Sequence, residues 1–249
     1  MIRGGIKRGP IENPGEPQDP KFYQSEWKMS YYRFSFGYGL TPVIKKLVII
    51  MGAVFLLQMV VSGSISLYLG LVPILVWKKF FLWQLATYIF LHGGIGHILF
   101  NLLALWMFGG ELESYWGSRK FLIYFFFCGI GAGIFTIVLL RHQYIPIIGA
   151  SGAIFGILLA YGWLFPNRLI YIYFLFPIPA KYMVIIFGLI ELLSSRSGTG
   201  GGVAHVTHLG GLFFGLLYMA YAPVRQKIRR KYYKRKWSQR GPDNKNYYH

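Results

Sequence analysis

The chain has 249 residues, 55% of them hydrophobic and 14% charged, with 26 Lys and Arg against 8 Asp and Glu for a net charge of +18. That apolar content excludes a disordered chain, and a single cysteine, Cys128, excludes an internal disulfide scaffold. A soluble nucleic-acid-binding domain has no use for uncharged runs of 20–31 residues, so a polytopic membrane protein with basic ends remains.

Residues 1–46 are polar, rich in Pro and Gly at first, and carry eight Lys/Arg and four acids. They read as a cytoplasmic N-terminal tail, with no charged start followed by a short apolar run of the signal-peptide kind. Residues 47–222 hold only eight Lys/Arg and three acids, Glu111, Glu113 and Glu191. Apolar stretches there predict six spans, at 47–63, 95–113, 119–140, 151–165, 180–193 and 204–222. The segment 64–93 is too apolar for an aqueous loop. Its Leu67, Tyr68, Leu71, Trp77, Phe80, Phe81, Trp83 and Tyr88 suggest a stretch lying in the membrane interface. Pro166, Pro177 and Pro179 break the chain between the fourth and fifth spans. Residues 223–249 form a second basic tail with ten Lys/Arg and one acid. Two basic tails place both termini in the cytoplasm, which an even number of spans satisfies. The expected fold is all-α, a six-transmembrane-helix bundle in a prokaryotic cytoplasmic membrane. The cluster at 225–240 is expected to meet anionic headgroups.

The informative residues are those an apolar span normally avoids, because polar groups in the bilayer are costly. His97 and Asn101 are spaced i, i+4 and share one face of the second span. Ser151 opens the fourth span, within Gly149-Ala150-Ser151-Gly152, and His205 and His208 lie early in the sixth. Followed through the bilayer, Ser151, His208, His97 and Asn101 fall in one layer, the outer third. Gly152 and Gly156 on the fourth span, and Gly211 and Gly215 on the sixth, are spaced for close helix approach. That approach is what a Ser151–His208 hydrogen bond needs, with His208 as general base to the Ser151 nucleophile. His97, Asn101 and the Ser151 backbone N–H are the candidate oxyanion donors. Glu111 and Glu113 fall at the far end of the second span. Glu191 is the one acid at a compatible depth, and the reading remains a Ser–His dyad. His205, like His92 and His142, reads as a packing residue. The chemistry calls for no metal and no cofactor.

These residues resemble the rhomboid intramembrane serine proteases over about 47–222. The family's His-x-x-x-Asn signature matches His97–Asn101, its Gly-x-Ser-Gly matches Gly149–Gly152, and its His-x-x-Gly-x-x-x-Gly matches His208, Gly211 and Gly215. His205 does not fit that spacing. The resemblance implies an endopeptidase that cuts transmembrane proteins near their extracytoplasmic ends, and a capping loop at 194–202. An inactive membrane chaperone or degradation adaptor on the same fold is the alternative. Two positions depart from the family: Gln84 follows Trp83 where an Arg is common, and Phe155 stands where a Tyr stacks on the histidine. Stacking by Phe155 is expected to survive without the hydroxyl.

Overall fold

The computed structural model describes residues 40–61, 64–172, 176–195 and 202–239, with side chains described as far as Tyr221. The N-terminal tail up to residue 39, the centre of the expected capping loop at 196–201 and the end of the C-terminal tail at 240–249 lie outside the described residues, as do the side chains of the basic cluster.

Helix α1 spans Pro42–Val60, three short helices α2 (Ser64–Leu69), α3 (Pro73–Lys79) and α4 (Gln84–Thr87) follow, and a 3-10 turn at Tyr88–Phe90 leads on. Helix α5 spans Ile95–Trp116 with one π turn at Leu105–Gly109, and α6 spans Ser118–Leu140. Helix α7 spans Ser151–Leu164, strands β1 (Leu169–Ile172) and β2 (Phe176–Pro179) follow, then α8 (Ala180–Ser194) and α9 (Gly202–Gln239).

Four described helices are long and apolar enough to cross a membrane: α1, α5, α6 and Gly202–Tyr221 of α9. Helix α7, with 14 residues, is about 21 Å long. It is apolar on every side because it is enclosed by protein: Gly152, Ala153, Ile154, Gly156, Ile157, Ala160 and Tyr161 are all buried. It packs against α6 and α9, around a core that includes Phe121, Tyr124, Phe125 and Cys128. The outer faces carry the opposite signal. Leu56, Phe100, Val138 and Leu193 are exposed on four different helices, an apolar perimeter suited to lipid.

The fold departs from the expected one in four places. Helix α1 starts at Pro42, ahead of residue 47, because its first turn is capped from another helix. Glu113 on α5 accepts the Val43 N–H at 3.0 Å and the Ile44 N–H at 3.1 Å, and it also bonds Thr41. The fold is mostly helical but not purely so, since β1 and β2 pair antiparallel with Leu169 opposite Pro179. Pro177 and Pro179 can serve in such a two-stranded ribbon because each strand keeps a free edge. Third, Leu71 and Tyr88, read as interfacial, are fully buried, and Tyr88 Oη donates to the Gly129 carbonyl at 2.7 Å. Leu67, Tyr68, Trp77, Phe80 and Trp83 do remain exposed. Finally, α9 runs on helically to Gln239, through most of the tail read from residue 223.

Candidate active site

Ser151 is the first residue of α7, and its position is fixed from the preceding loop. Ile147 pairs with Leu71 through two backbone hydrogen bonds of 2.8 and 2.9 Å. The Gly149 N–H then donates to the Tyr88 carbonyl at 2.9 Å. Gly149 has φ +124°, where a side chain is strained, and a Cβ there would also lie 2.7 Å from His97 Nε2. The chain thus turns sharply against His97 immediately before Ser151.

His208 lies on α9, and its Nε2 stands 2.7 Å from Ser151 Oγ. Phe155, one turn after Ser151, stacks on the His208 ring at 4.4 Å between centroids and 16° between planes. The glycines allow this approach. A Cβ on Gly211 would overlap the Gly152 carbonyl oxygen, one on Gly215 would lie 3.1 Å from the Gly156 Cα, and one on Gly156 would meet Cys128 at 2.5 Å. Beside this seam, Thr136 and Thr207 share a buried hydroxyl contact of 2.9 Å between α6 and α9.

His97 Nδ1 accepts the Gly93 N–H at 3.2 Å. Its ring proton therefore belongs on Nε2, the atom facing Gly149. Asn101 is buried, and its amide donates back to the His97 carbonyl at 2.9 Å. An amide carries a second N–H besides this one. The four residues that sequence spacing placed in one layer thus fall at one end of the bundle. A depression of about 480 Å³ opens nearby, lined by Phe55, Gln58, Ser66, His92, Gly93 and Ile148 among others.

The structure also brings in two residues that the dyad reading set aside. Glu191, in the last turn of α8, places Oε2 at 2.5 Å from His205 Nδ1 and 3.0 Å from His208 Nδ1. The depth of Glu191 was legible in the sequence, but the direction of its side chain was not. One donor atom from each of Glu191, His205 and His208 lies within 4.8 Å of the others, a spacing a cation can bridge. A cation on His208 Nδ1 would leave the ring proton on Nε2, the opposite of what a base facing Ser151 requires.

At the other end of the bundle, Glu111 pairs with Arg168 at 2.5 Å and accepts from Tyr161 Oη at 2.9 Å. Gln84, the residue after Trp83, is fully buried. It accepts the Val72 N–H at 2.9 Å and donates to the Leu67 carbonyl at 2.8 Å, while Trp83 Nε1 donates to the Tyr68 carbonyl at 2.8 Å.

The Rhomboid domain model matches residues 79–224, more than half of the chain. Among known proteins, the chain is 39% identical over 142 residues to the rhomboid protease GluP of Bacillus subtilis (strain 168), covering 55% of this chain and 25% of that protein. It is 33% identical over 155 residues to Rhomboid protein 1, mitochondrial, of Saccharomyces cerevisiae, covering 57% and 43%. It is 28% identical over 236 residues to the rhomboid protease GlpG of Salmonella typhimurium (strain LT2), covering 86% and 78%. The match therefore spans a quarter of GluP and under half of the yeast protein. With that domain match and its apolar helices, the chain belongs to the rhomboid family of integral membrane proteins.

Proposed function

We propose that the chain is an intramembrane serine endopeptidase cleaving transmembrane proteins near their extracytoplasmic ends. The observation that carries this reading is the 2.7 Å contact between Ser151 Oγ and His208 Nε2. In the proposed reaction His208 Nε2 takes the hydroxyl proton as Ser151 Oγ attacks the scissile carbonyl. The oxyanion is received by the Ser151 N–H, His97 Nε2–H and the second amide N–H of Asn101. A donor of this kind is worth about 3–4 kcal/mol. His208 then protonates the departing amine, and the acyl group on Ser151 is released by a water that His208 deprotonates in turn. Phe155 keeps the imidazole in one plane throughout.

The reading includes a six-span arrangement of α1, α5, α6, α7, α8 and α9, a membrane domain over 47–222 and cytoplasmic tails at 1–46 and 223–249. A prokaryotic cytoplasmic membrane suits it. Helix α7 is short of a hydrocarbon core of about 30 Å, which leaves room for water at Ser151. The basic C-terminal tail meets anionic headgroups, each charge contributing about 1 kcal/mol near the surface.

The test uses purified protein in detergent and a model transmembrane substrate. Ser151→Ala abolishes cleavage and labelling by a fluorophosphonate. Unchanged cleavage by that variant overturns the reading. Wild-type protein that takes no label yet retains clients after Ser151→Ala and His208→Ala would instead be an adaptor.

A further inference from the structure

For His208 to act as a base toward Ser151, its Nε2 must be bare and its ring proton must sit on Nδ1. That Nδ1 is buried and makes no well-aligned hydrogen bond among the described residues. The group in front of it is the Glu191 carboxylate, with Oε2 at 3.0 Å. An ionised carboxylate only accepts, so it favours the tautomer with the proton on Nδ1 and disfavours a bare Nδ1 facing it. The His208 and Glu191 side chains are 17% and 11% exposed, shielded enough that a positive imidazolium gains from the nearby negative charge.

Glu191 is itself held. A carboxylate this buried needs partners, and His205, one helical turn before His208, supplies Nδ1 at 2.5 Å to the same oxygen. The two histidine rings stand nearly perpendicular, 6.2 Å apart, with the oxygen between their Nδ1 atoms. Phe155 stacks on the face of the His208 ring and so limits its tilting. Hydrogen bonds of this kind are often loose without substrate and tighten when it binds.

We infer that Glu191 is the positioning carboxylate of a Ser151–His208–Glu191 triad, oriented by His205. This rests on the serine-protease reading above and adds a third member to it. Glu191 transfers no proton. It sets the His208 tautomer and stabilises the imidazolium formed when Ser151 attacks. The three members come from α7, α9 and α8, so alignment depends on how α8 sits against α9.

The competing role is a clamp, in which Glu191 and His205 merely tie α8 to α9. Full-length protein in detergent distinguishes the two through kcat, KM, thermal stability and rescue by the conservative variant. Among the described residues, the titratable and polar groups facing His208 include Glu191 from α8, His205 on its own helix, His97 from α5 and Ser151 from α7. His97 and Ser151 stay unchanged in the variants compared. Glu191→Gln keeps the volume and removes the charge. It lowers kcat at least tenfold with KM within about twofold, because His208 loses the carboxylate that favours the proton on Nδ1. Glu191→Asp restores part of kcat. His205→Asn gives a smaller fall in kcat.

A clamp predicts the reverse pattern: Glu191→Gln lowers the melting temperature and raises KM while kcat stays put. That result, with Ser151→Ala inactive, overturns the triad and leaves the protease reading intact. Cleavage that persists in Ser151→Ala removes both. Should Glu191→Gln fail to fold, Glu191→Asp and His205→Asn decide, since a triad requires that both lower kcat and a clamp that neither does.

Discussion

Gly211 on α9 rests on the Gly152 carbonyl of α7, backbone against backbone, one residue beyond Ser151. A methyl group there has no flexible neighbour to displace. Gly211→Ala must therefore separate the two helices, and a misplacement near 1 Å can cost about 100-fold in rate. Gly211→Ala is expected to lower kcat by one to two orders of magnitude and stability by about 1–3 kcal/mol. Gly52 on α1 is the control, because nothing lies within 4 Å of a Cβ there. Gly52→Ala should leave cleavage and melting temperature near wild type, and equal loss in both variants would mean that close approach is not the reason for Gly211.

The sequence carried this contact in its spacing, since Gly152, Gly156, Gly211 and Gly215 recur at four-residue intervals, and His97, Asn101, Ser151 and His208 could be assigned a common depth from helical rise alone. What it did not carry was direction about the helix axis. Glu191 was seen at a suitable depth, but nothing in one chain said that its side chain turns toward α9. His205 looked like a packing residue because the family spacing selects His208. Tyr88 and Leu71 were misread for a related reason. An aromatic-rich amphipathic stretch matches an interface equally well whether a given residue faces lipid or core, and it is contacts with distant residues, Leu71 with Ile147 and Tyr88 with Gly129 and Gly149, that accompany the inward placement of these two. The start of α1 was displaced because its cap, Glu113, lies 70 residues from Val43.

That cap is measurable. Glu113 holds the N–H groups of Val43 and Ile44, both buried, and also bonds Ser118 Oγ at 2.5 Å. Glu113→Ala leaves these donors without an acceptor, at roughly 1–3 kcal/mol for each buried group. The melting temperature is expected to fall by roughly 5–15 °C. The catalytic end should be spared at permissive temperature, since Glu113 lies 16 residues, about 24 Å, along α5 from His97. A matched fall in kcat at low temperature would show that the two ends of α5 are coupled.

His92 gives a pH dependence. It is buried between α1 and the start of α5, and neither ring nitrogen has a hydrogen-bond partner among the described residues. Burial, with a smaller contribution from His97, pushes its pKa down to about 4. An unfolded histidine titrates near 6.5, so below that pH the unfolded chain gains a proton that the folded chain refuses. Stability is full above pH 6.5 and is lost progressively as the pH falls toward 4, by a few kcal/mol at most. His92→Phe removes the titration. It leaves the backbone bonds between His92 and the Gln58 side chain in place, because both use main-chain atoms of residue 92. Melting temperatures from pH 7.5 to 4.5 should fall more steeply in wild type than in the variant, and parallel curves would remove His92 as the cause.

Gln84 offers the sharpest test of the interfacial segment. Its carbonyl accepts from Val72 N–H while its amide donates to the carbonyls of Leu67 and Tyr68, so one fully buried side chain fastens three points of the stretch before it. Leu71, within that stretch, is the residue that pairs with Ile147 just upstream of Ser151. Loosening Gln84 should therefore reach the active end through the backbone. Gln84→Glu keeps the size but replaces a donor with a second acceptor facing two carbonyls, which is repulsive, whereas Gln84→Met keeps the bulk and takes the Gln84 partner from the Val72 N–H and the Leu67 carbonyl, the Tyr68 carbonyl keeping its bond from Trp83. Both should cost about 1–3 kcal/mol in stability. Glu should be the worse of the two for cleavage at neutral pH and should partly recover at acidic pH, where a protonated carboxyl donates again. A Gln84→Glu variant with wild-type kcat and melting temperature across that range would show that the segment is held by packing of Leu71 and Tyr88 and not by the amide.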